Sequence, residues 1–370
     1  MAPKRPEGAG AIPKSVESPA LSSPDPANLY AALDLGTNSC RMLIAQPQGS
    51  QFVVVDSFSK SVQLGAGLER SGRLSRSSIY RTIQALRVCQ QKLKRHKVTR
   101  MRLVATEACR RASNGKEFMS RVRRETGLKL DIIEPQEEAQ LAVVSCAPLV
   151  SRKTDQLLVV DIGGGSTELV WIDLTNVPSH ERPKSIMRMH TGFHSIDNRS
   201  SAAKVVDWIS VPLGVATLRD QFNDVEDDSA RFALMSWFFE ENLAEFAPYK
   251  DEPPREGFQI VGTSGTVTTV AASHLGLKRY DRNKVDGLRM TSEEIDKVIR
   301  SYLALGPVGR RRDPRIGTDR QALIMSGAAI LQALLRCWPT DRLSVADRGL
   351  REGMLYAQMS EDGVLTDGSD

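Results

Sequence analysis

Aromatic residues are scarce in this 370-residue chain, at 5% of the total, so the sequence does not indicate a surface that stacks on nucleic-acid bases. Its five cysteines are scattered and form no CxxC pair. That spacing argues against a structural zinc site and a disulfide framework, and it fits a reducing cytoplasm. No apolar run is long enough for a membrane helix, and residues 1–26 lack the apolar segment of a secretory signal. We therefore expect a cytoplasmic protein without nucleic-acid or membrane partners.

The rest of the composition is ordinary for a soluble protein. Hydrophobic residues make up 41% of the chain, enough for sizeable cores, and a length of 370 residues favours two domains over one. The net charge of +5 fits a polyanionic substrate, although it fits many other proteins as well. Residues 1–28, rich in Pro, Ser, Ala and Gly, are expected to form a disordered tail, and residues 361–370 a second tail.

Most of the chemical information lies in residues 157–172, with the sequence LLVVDIGGGSTELVWI. Two apolar segments flank three consecutive glycines, which predicts a β-hairpin with its tight turn at residues 163–165. Such glycines let the backbone approach a ligand closely and aim successive N–H groups at an anion. Ser166 and Thr167 add hydroxyl donors. Asp161 would place a carboxylate beside that anion, which suggests a hard cation such as Mg²⁺ between the two.

The same pattern occurs near the N-terminus, in residues 30–45 with the sequence YAALDLGTNSCRMLIA. An alignment without gaps matches Asp34 with Asp161 and Gly36 with Gly163. One glycine-rich hairpin by itself is consistent with a turn that binds nothing, but an internal duplication is stronger support than either motif alone. It predicts two similar domains that face one cleft, each with a phosphate-binding loop.

Four further motifs follow along the chain: ATEACRRA at 105–112, PQEEA at 135–139, GTSGT at 262–266 and DRGLREG at 347–353. With the two hairpins, they resemble the exopolyphosphatase and guanosine pentaphosphate phosphohydrolase family, within the superfamily of actin-like ATPases and sugar kinases. The resemblance covers about residues 30–356 and implies an α/β fold of two actin-like, ribonuclease-H-like domains with an interdomain cleft. We expect the N-terminal domain at 29–150 and the C-terminal domain at 151–360, in the short form without the C-terminal helical extension of longer relatives. The resemblance also implies a homodimer.

The resemblance implies hydrolysis of a phosphoanhydride bond with Mg²⁺ as cofactor. The leading expectation is an exopolyphosphatase that releases terminal phosphate from inorganic polyphosphate. A guanosine pentaphosphate 5′-phosphohydrolase is the close alternative, because the motifs do not separate the two substrates. A phosphotransferase would need an adenosine site, which GTSGT leaves open, whereas the EEA motif favours water as the acceptor. A non-enzymatic nucleotide-binding protein is the remaining alternative.

Individual residues also receive roles from the resemblance. Glu138, the second glutamate of PQEEA, would activate water, and Arg110 would contact the terminal phosphate. Glu168 is a second acidic candidate, and Asp34 and Asp161 would bind the metal. The expected phosphate-binding residues are Gly36, Asn38, Ser39, Arg41, Gly163, Gly164, Gly165, Ser166, Thr167, Gly262, Ser264, Gly265 and Thr266. Without the family match, Glu138 could be a helix-capping partner, Arg110 a surface arginine, and residues 262–266 a plain strand-to-helix turn.

Hydrophobic spacing predicts helices at residues 75–97, 113–127, 136–146, 215–223, 230–246, 267–275, 292–303, 321–337 and 349–359. Residues 176–207 are interpreted as an insert in the C-terminal domain, a surface loop or an extended hairpin. Its three histidines are expected to be solvated rather than metal ligands. Five arginines between 310 and 320 form a basic cluster, expected to be a solvated face rather than a lining for polyphosphate.

Overall fold

The computed structural model describes residues 28–191, 202–246, 256–318 and 320–365. The strands in these ranges are β1 (Tyr30–Leu35), β2 (Ser39–Gln48), β3 (Gln51–Ser61), β4 (Arg100–Ala105), β5 (Asp131–Ile132), β6 (Gln156–Ile162), β7 (Thr167–Asp173), β8 (Lys204–Val211), β9 (Phe258–Thr263), β10 (Arg289–Met290) and β11 (Leu343–Ala346). The helices are α1 (Leu68–Ser71), α2 (Arg76–Arg95), α3 (Glu107–Arg111), α4 (Gly115–Thr126), α5 (Pro135–Cys146), α6 (Arg182–Met187), α7 (Val215–Gln221), α8 (Asp228–Glu241), α9 (Gly265–His274), α10 (Arg282–Val285), α11 (Ser292–Arg312), α12 (Ile324–Cys337) and α13 (Leu350–Glu361).

Two sheets with matching topology organise the chain. The first has the strand order β3-β2-β1-β4-β5, and the second has the order β8-β7-β6-β9-β11-β10. Each sheet starts with three consecutive antiparallel strands, and the next strand pairs in parallel with the first one, β4 with β1 and β9 with β6. The predicted pair of α/β domains is therefore confirmed.

The first strand of each domain lies inside its sheet and is almost fully buried. β1 reads YAALDL and β6 reads QLLVVDI, runs without polar alternation, as expected for strands covered on both faces. The third strand, β3, is exposed along much of its length because it lies at the sheet edge. The chemically important ends of β1 and β6 are thus fixed by the most rigid part of each sheet.

The predicted helix boundaries hold where sequence signals are strong. α2 begins after Ser75, whose hydroxyl accepts a hydrogen bond from the backbone N–H of Ser78. α4 ends at Gly127, which has φ 73° and so takes the left-handed conformation that favours glycine. The helix predicted at 292–303 begins at Ser292 as expected, is capped by Thr291, and continues past a kink at Gly306 to Arg312.

α5 and α13 link the two halves of the molecule. α13 packs against α5 and β1, and its Leu350, Met354, Leu355 and Met359 share a buried cluster with Tyr30 and neighbouring residues of the first sheet. The opposite side of α5 packs against the second sheet, with Ala139, Val143 and Cys146 in that core. The last helix therefore lies on the N-terminal domain, although the sequence places it within 151–360. The expected boundary near residue 150 falls between the two sheets and stays a prediction.

The predicted insert is more ordered than expected. Residues 182–191 form α6 and a following 3-10 turn, and Ile186 and Met189 are buried against α5. Arg182 donates to Asp155 Oδ1 at 2.6 Å, and the Gln140 side chain donates to the carbonyl of Met189 at 2.9 Å. The interpretation as a surface loop is wrong for this segment, because its apolar positions fill the core.

Only part of the expected insert and of the two expected tails lies within the described residues. β8 begins at Lys204, inside the segment 176–207 that was interpreted as an insert, and residues 192–201 with His194 lie outside the described residues. The tail expected at 1–28 lies outside them except for Asn28, as do residues 366–370. Val364 and Leu365, which belong to the tail expected at 361–370, pack against the buried cluster that α13 shares with Tyr30. Within the described ranges, no helix combines the length and apolarity needed to cross a membrane.

Candidate active site

The two glycine-containing turns have the same backbone geometry. In each, the N–H of the first glycine donates to the carbonyl of the residue three positions later, Gly36 to Ser39 at 3.0 Å and Gly163 to Ser166 at 2.9 Å. The pairing of the second strand with the third then shifts at equivalent places, residues 44/45 and 171/172. The duplication seen in the sequence therefore extends to this shift of register between the second and third strands of each sheet.

The strand-end carboxylates face one cleft between the domains. Asp34 lies opposite Arg41 across the first hairpin, and Asp161 lies opposite Glu168 across the second. Asp34, Arg41 and Asp161 line the cleft. Burial raises the pKa of Asp34, and it raises the pKa of Asp161 further, with added repulsion from Glu168 and Asp34. This concentration of negative charge favours a cation between the two turns.

The two turns touch each other. A Cβ built on Gly164 would lie 3.2 Å from the backbone nitrogen of Asn38, and one on Gly165 would lie 2.5 Å from Thr37 Oγ1. Glycine is required here because the opposite turn leaves no space for a side chain. The Thr37 hydroxyl is buried in the cleft without a hydrogen-bond partner among the described residues. The phosphate-binding elements of both domains thus converge on one small polar volume.

Glu138 projects into this cleft from the first turn of α5, whereas its neighbour does not. Glu138 lines the cleft and its side chain is 12% exposed. Burial raises its pKa well above the ordinary value, with further repulsion from Glu168, Asp34 and Asp161. The side chain of Glu137 is 39% exposed and pairs with Arg102 instead. Of the two glutamates in the first turn of α5, only Glu138 is therefore among the described residues that line the cleft.

Arg110 lies behind Glu138 rather than in the cleft lining. Its guanidinium donates to Glu138 Oε2 at 3.3 Å from both terminal nitrogens, to Glu107 Oε2 at 2.7 Å and to the Ile133 carbonyl at 2.5 Å. Glu107 itself lines the cleft. The arrangement holds the carboxylate of Glu138 in place. Both terminal nitrogens of Arg110 already have protein acceptors, and its expected contact with a phosphate stays a prediction.

Two other expected residues point away from the anion site. The Thr167 hydroxyl donates to the Leu213 carbonyl at 2.7 Å and is buried. Gly262 lies within β9, against the side chain of Val267 rather than the cleft. Glu168 is also behind the lining; it accepts a hydrogen bond from Ser210 at 2.8 Å, and burial raises its pKa to about 7.

The 263–266 segment does reach the cleft, between β9 and α9. The hydroxyl of Ser264 accepts from the N–H groups of Thr266 at 3.1 Å and Val267 at 3.3 Å, so it occupies donors that an anion would otherwise use. Ser264 has φ 150°, an uncommon value for a residue with a side chain. This segment combines a capped strand-to-helix turn with a wall of the cleft.

The chain matches a family model over residues 43–362, described as the Ppx/GppA phosphatase family. The chain belongs to this family. The family expected from the motifs is confirmed.

Individual relatives show how far the likeness extends. A Ppx/GppA relative from Aeromonas salmonicida, named guanosine-5'-triphosphate,3'-diphosphate pyrophosphatase, is 28% identical over 334 residues, which cover 90% of this chain and 60% of that protein. The crystal structure of the Aquifex aeolicus Ppx/GppA family member is 29% identical, covers 90% of this chain and 98% of its own, and has a TM-score of 0.70. An exopolyphosphatase structure from Cytophaga hutchinsonii shares the fold, at 21% identity, a TM-score of 0.74, and coverage of 92% and 100% of the two chains.

These likenesses confirm the two-domain, actin-like fold of the Ppx/GppA family. The chain spans about 60% of the length of the curated relatives that it matches. The two curated relatives are named guanosine-5'-triphosphate,3'-diphosphate pyrophosphatases, whereas one of the solved structures is named an exopolyphosphatase.

Several lining residues of this Ppx/GppA cleft were missed from the sequence. Besides Thr37 and Glu107, the cleft has three arginines with no role assigned beforehand, Arg320, Arg348 and Arg351. Signals for them existed, since the last two lie within DRGLREG and Arg320 belongs to the basic cluster. That cluster does not act as a unit: Arg310 is buried against Asp228, and Arg315 pairs with Asp313.

The residues present fit a magnesium ion held together with its substrate. Among the residues that the structure describes, no three His, Cys, Asp or Glu side chains converge as a complete metal cage. Mg²⁺ usually takes one or two carboxylates and completes its octahedron with waters and phosphate oxygens. Asp34 and Asp161, one at the end of each central strand, supply such a pair.

Proposed function

We propose that this protein hydrolyses the terminal phosphoanhydride bond of guanosine pentaphosphate, releasing orthophosphate. One observation carries the chemistry: a rigidly held carboxylate, Glu138, lies in the lining of a cleft where the two glycine turns meet. The substrate follows from the names of the relatives, which are guanosine-5'-triphosphate,3'-diphosphate pyrophosphatases.

Each part of the cleft has a task in this reaction. The turns at Gly36–Ser39 and 163–166 bind phosphate oxygens through backbone N–H groups and hydroxyls. Glu138 accepts the proton of the attacking water, and burial raises its pKa above that of an exposed glutamate, which makes the carboxylate a stronger base. Mg²⁺, held by Asp34 and Asp161, would neutralise charge on the phosphates. Arg110 orients Glu138 through its two hydrogen bonds.

Inorganic polyphosphate is the second candidate, favoured by a different observation. Among the described residues that line the cleft, none is aromatic, so the cleft offers no ring on which a guanine base could stack. Arginine, glycine and hydroxyl groups dominate instead, and they suit a substrate made of phosphate alone.

The two substrates are separated by measuring phosphate release in the presence of Mg²⁺ from guanosine pentaphosphate, long-chain polyphosphate and ATP at equal concentrations. We expect guanosine pentaphosphate to be hydrolysed at least about tenfold faster than ATP, as required of a selective site, and all release to stop in EDTA. Fast release from polyphosphate alone would establish the second candidate. No release from any substrate would contradict the hydrolase and restore a phosphotransferase or a binding protein. The Glu138→Gln variant serves as the blank for contaminating phosphatases.

The homodimer implied by the family resemblance stays a prediction. Light scattering coupled to size-exclusion chromatography would test it.

A further inference from the structure

A second cavity lies in the C-terminal domain, separate from the active-site cleft. It has a volume of about 350 Å³ and lies between α7, α8, the start of α12 and the end of α11. Its charged lining consists of Arg219, Arg231, Arg310, Arg311 and Asp228. We call it the arginine pocket. It shares no lining residue with the cleft.

Two of the four arginines have a structural explanation. Arg310 is buried and donates to Asp228 Oδ1 at 2.7 Å and to the Tyr302 carbonyl at 2.8 Å. Arg219 donates to Asp220 Oδ1 through Nε at 2.9 Å and through Nη2 at 2.5 Å. Their charges are compensated within the fold.

The other two arginines are not compensated in the same way. The Arg231 guanidinium forms no ion pair within the described part of the chain, and its one side-chain hydrogen bond there runs from Nη2 to the Glu226 carbonyl at 3.3 Å. Arg311 is exposed, and its guanidinium forms no ion pair within the described part of the chain. An anion in the pocket would supply these two guanidinium groups with charged acceptors for their terminal N–H groups.

The pocket also has an apolar wall, formed by Met235, Pro307 and Met325. Methionine side chains adapt to flat or irregular apolar groups. A cavity of this size is at the small end of the range for ligand sites, which suits a compound no larger than a mononucleotide. We propose that the arginine pocket binds a phosphorylated small molecule, with its phosphate against Arg231 and Arg311 and its remaining portion against the methionines.

The fold connects this pocket to the active site by a short path. α7 lines the pocket through Arg219. The first residues of α7 donate hydrogen bonds to the triple-glycine turn, from the Val215 N–H to the Gly163 carbonyl at 3.0 Å and from the Ala216 N–H to the Gly164 carbonyl at 2.8 Å. Ser326 of α12, also in the pocket, donates to the Val215 carbonyl at 2.6 Å. A ligand in the pocket therefore contacts elements that support the triple-glycine turn.

Calorimetric titration of the full chain tests the proposal, with GMP and inorganic phosphate as separate probes. The test variant is Arg231→Ala combined with Arg311→Ala, and the control is Arg312→Ala, an exposed arginine next to the pocket but outside its lining. We expect the double variant to lose at least about tenfold in affinity for the bound probe, since it removes charge-assisted hydrogen bonds, while the control stays within about twofold.

The two probes distinguish the source of the phosphate group. Tighter binding of GMP than of inorganic phosphate, lost in the double variant, supports a nucleotide ligand. Equal binding of both, lost in the same variant, supports a site for the phosphate group alone. Unchanged affinity in the double variant, or no binding of either probe to the wild-type protein at millimolar concentration, overturns the proposal. Arg311→Ala alone, at an exposed position, repeats the test should the double variant fail to fold.

Discussion

Replacing Glu138 by glutamine separates its role in catalysis from its role in the fold. The amide keeps the size of the side chain and removes the carboxylate that would accept a proton from water. Loss of a positioned general base lowers kcat by about 10²- to 10⁴-fold. Substrate binding should persist, because the glycine turns that contact phosphate are unchanged.

The effect on stability comes from two opposing contributions. Glutamine weakens the two 3.3 Å contacts with Arg110, a loss of about 1–2 kcal/mol, but Arg110 keeps Glu107 and the Ile133 carbonyl as acceptors. Against this, the pKa of Glu138 is raised in the folded protein, first by burial and then by neighbouring carboxylates. A carboxyl group whose folded pKa is raised destabilises the fold above its unfolded pKa of about 4.3, by about 1.4 kcal/mol for each tenfold change in its acid dissociation constant. We therefore expect the free energy of unfolding at neutral pH to change by less than about 2 kcal/mol.

Phosphate release and thermal unfolding of the same samples provide the measurement. Glu137→Gln is the matched control, since that side chain is adjacent, more exposed and paired with Arg102; its turnover should stay within about twofold of wild type, as for most exposed substitutions. Full turnover by Glu138→Gln would refute its role as base and move that role to Glu168. Equal losses in both variants would show that the effect comes from general charge at the start of α5.

Three other changes test the surrounding structure. Gly165→Ala places a Cβ 2.5 Å from Thr37 Oγ1 and 2.9 Å from Glu107 Cγ. The variant should lower kcat/KM at least about tenfold while the fold persists. Wild-type kinetics would show that the two turns need not touch. Gly353→Ala makes a Cβ overlap the Leu141 carbonyl, so α13 must shift and thermal unfolding should show a loss of about 1–3 kcal/mol; an unchanged Tm would contradict this packing. Burial alone would raise the pKa of Asp56, but hydrogen bonds from Lys92 and His96 lower it overall. The ionised carboxylate therefore stabilises the fold above its unfolded pKa of about 3.9, and this stabilisation is lost as the pH falls through the lower folded pKa. Urea titrations of Asp56→Asn should therefore show about 1 kcal/mol less stability at pH 6 than wild type and a smaller difference near pH 2, and a constant difference would refute the linkage.

The hairpins and the family could be predicted where local pattern and duplication coincide. The hairpin at 157–172 was predicted from its buried runs and glycines, and the matched repeat predicted the second one. Glu138 was separated from Glu137 only by the family resemblance, because both lie in the first turn of α5. The helical period shows that the two residues point in different directions, but it does not show which direction faces the cleft.

The failures have a common physical cause, which is tertiary context. Nothing local distinguishes Arg320, which reaches the cleft, from Arg310, which is buried against Asp228. The hydroxyl of Thr167 was expected to bind an anion, but it donates to a carbonyl on a strand connection more than 40 residues away. Residues 182–191 were interpreted as a loop because prolines and histidines obscure their apolar positions, and α5 supplies the surface that orders them.

The position of α13 on the first sheet has a consequence for how the protein is made. Tyr30 at the start of β1 donates to Asp362 at 2.6 Å, a contact between residues 332 positions apart. Because the buried cluster around Tyr30 needs α13, the N-terminal half emerges from the ribosome long before its core can be completed. Contacts of such sequence separation slow folding and leave apolar surface exposed in the meantime. The N-terminal half thus depends on residues that are synthesised after the whole second sheet.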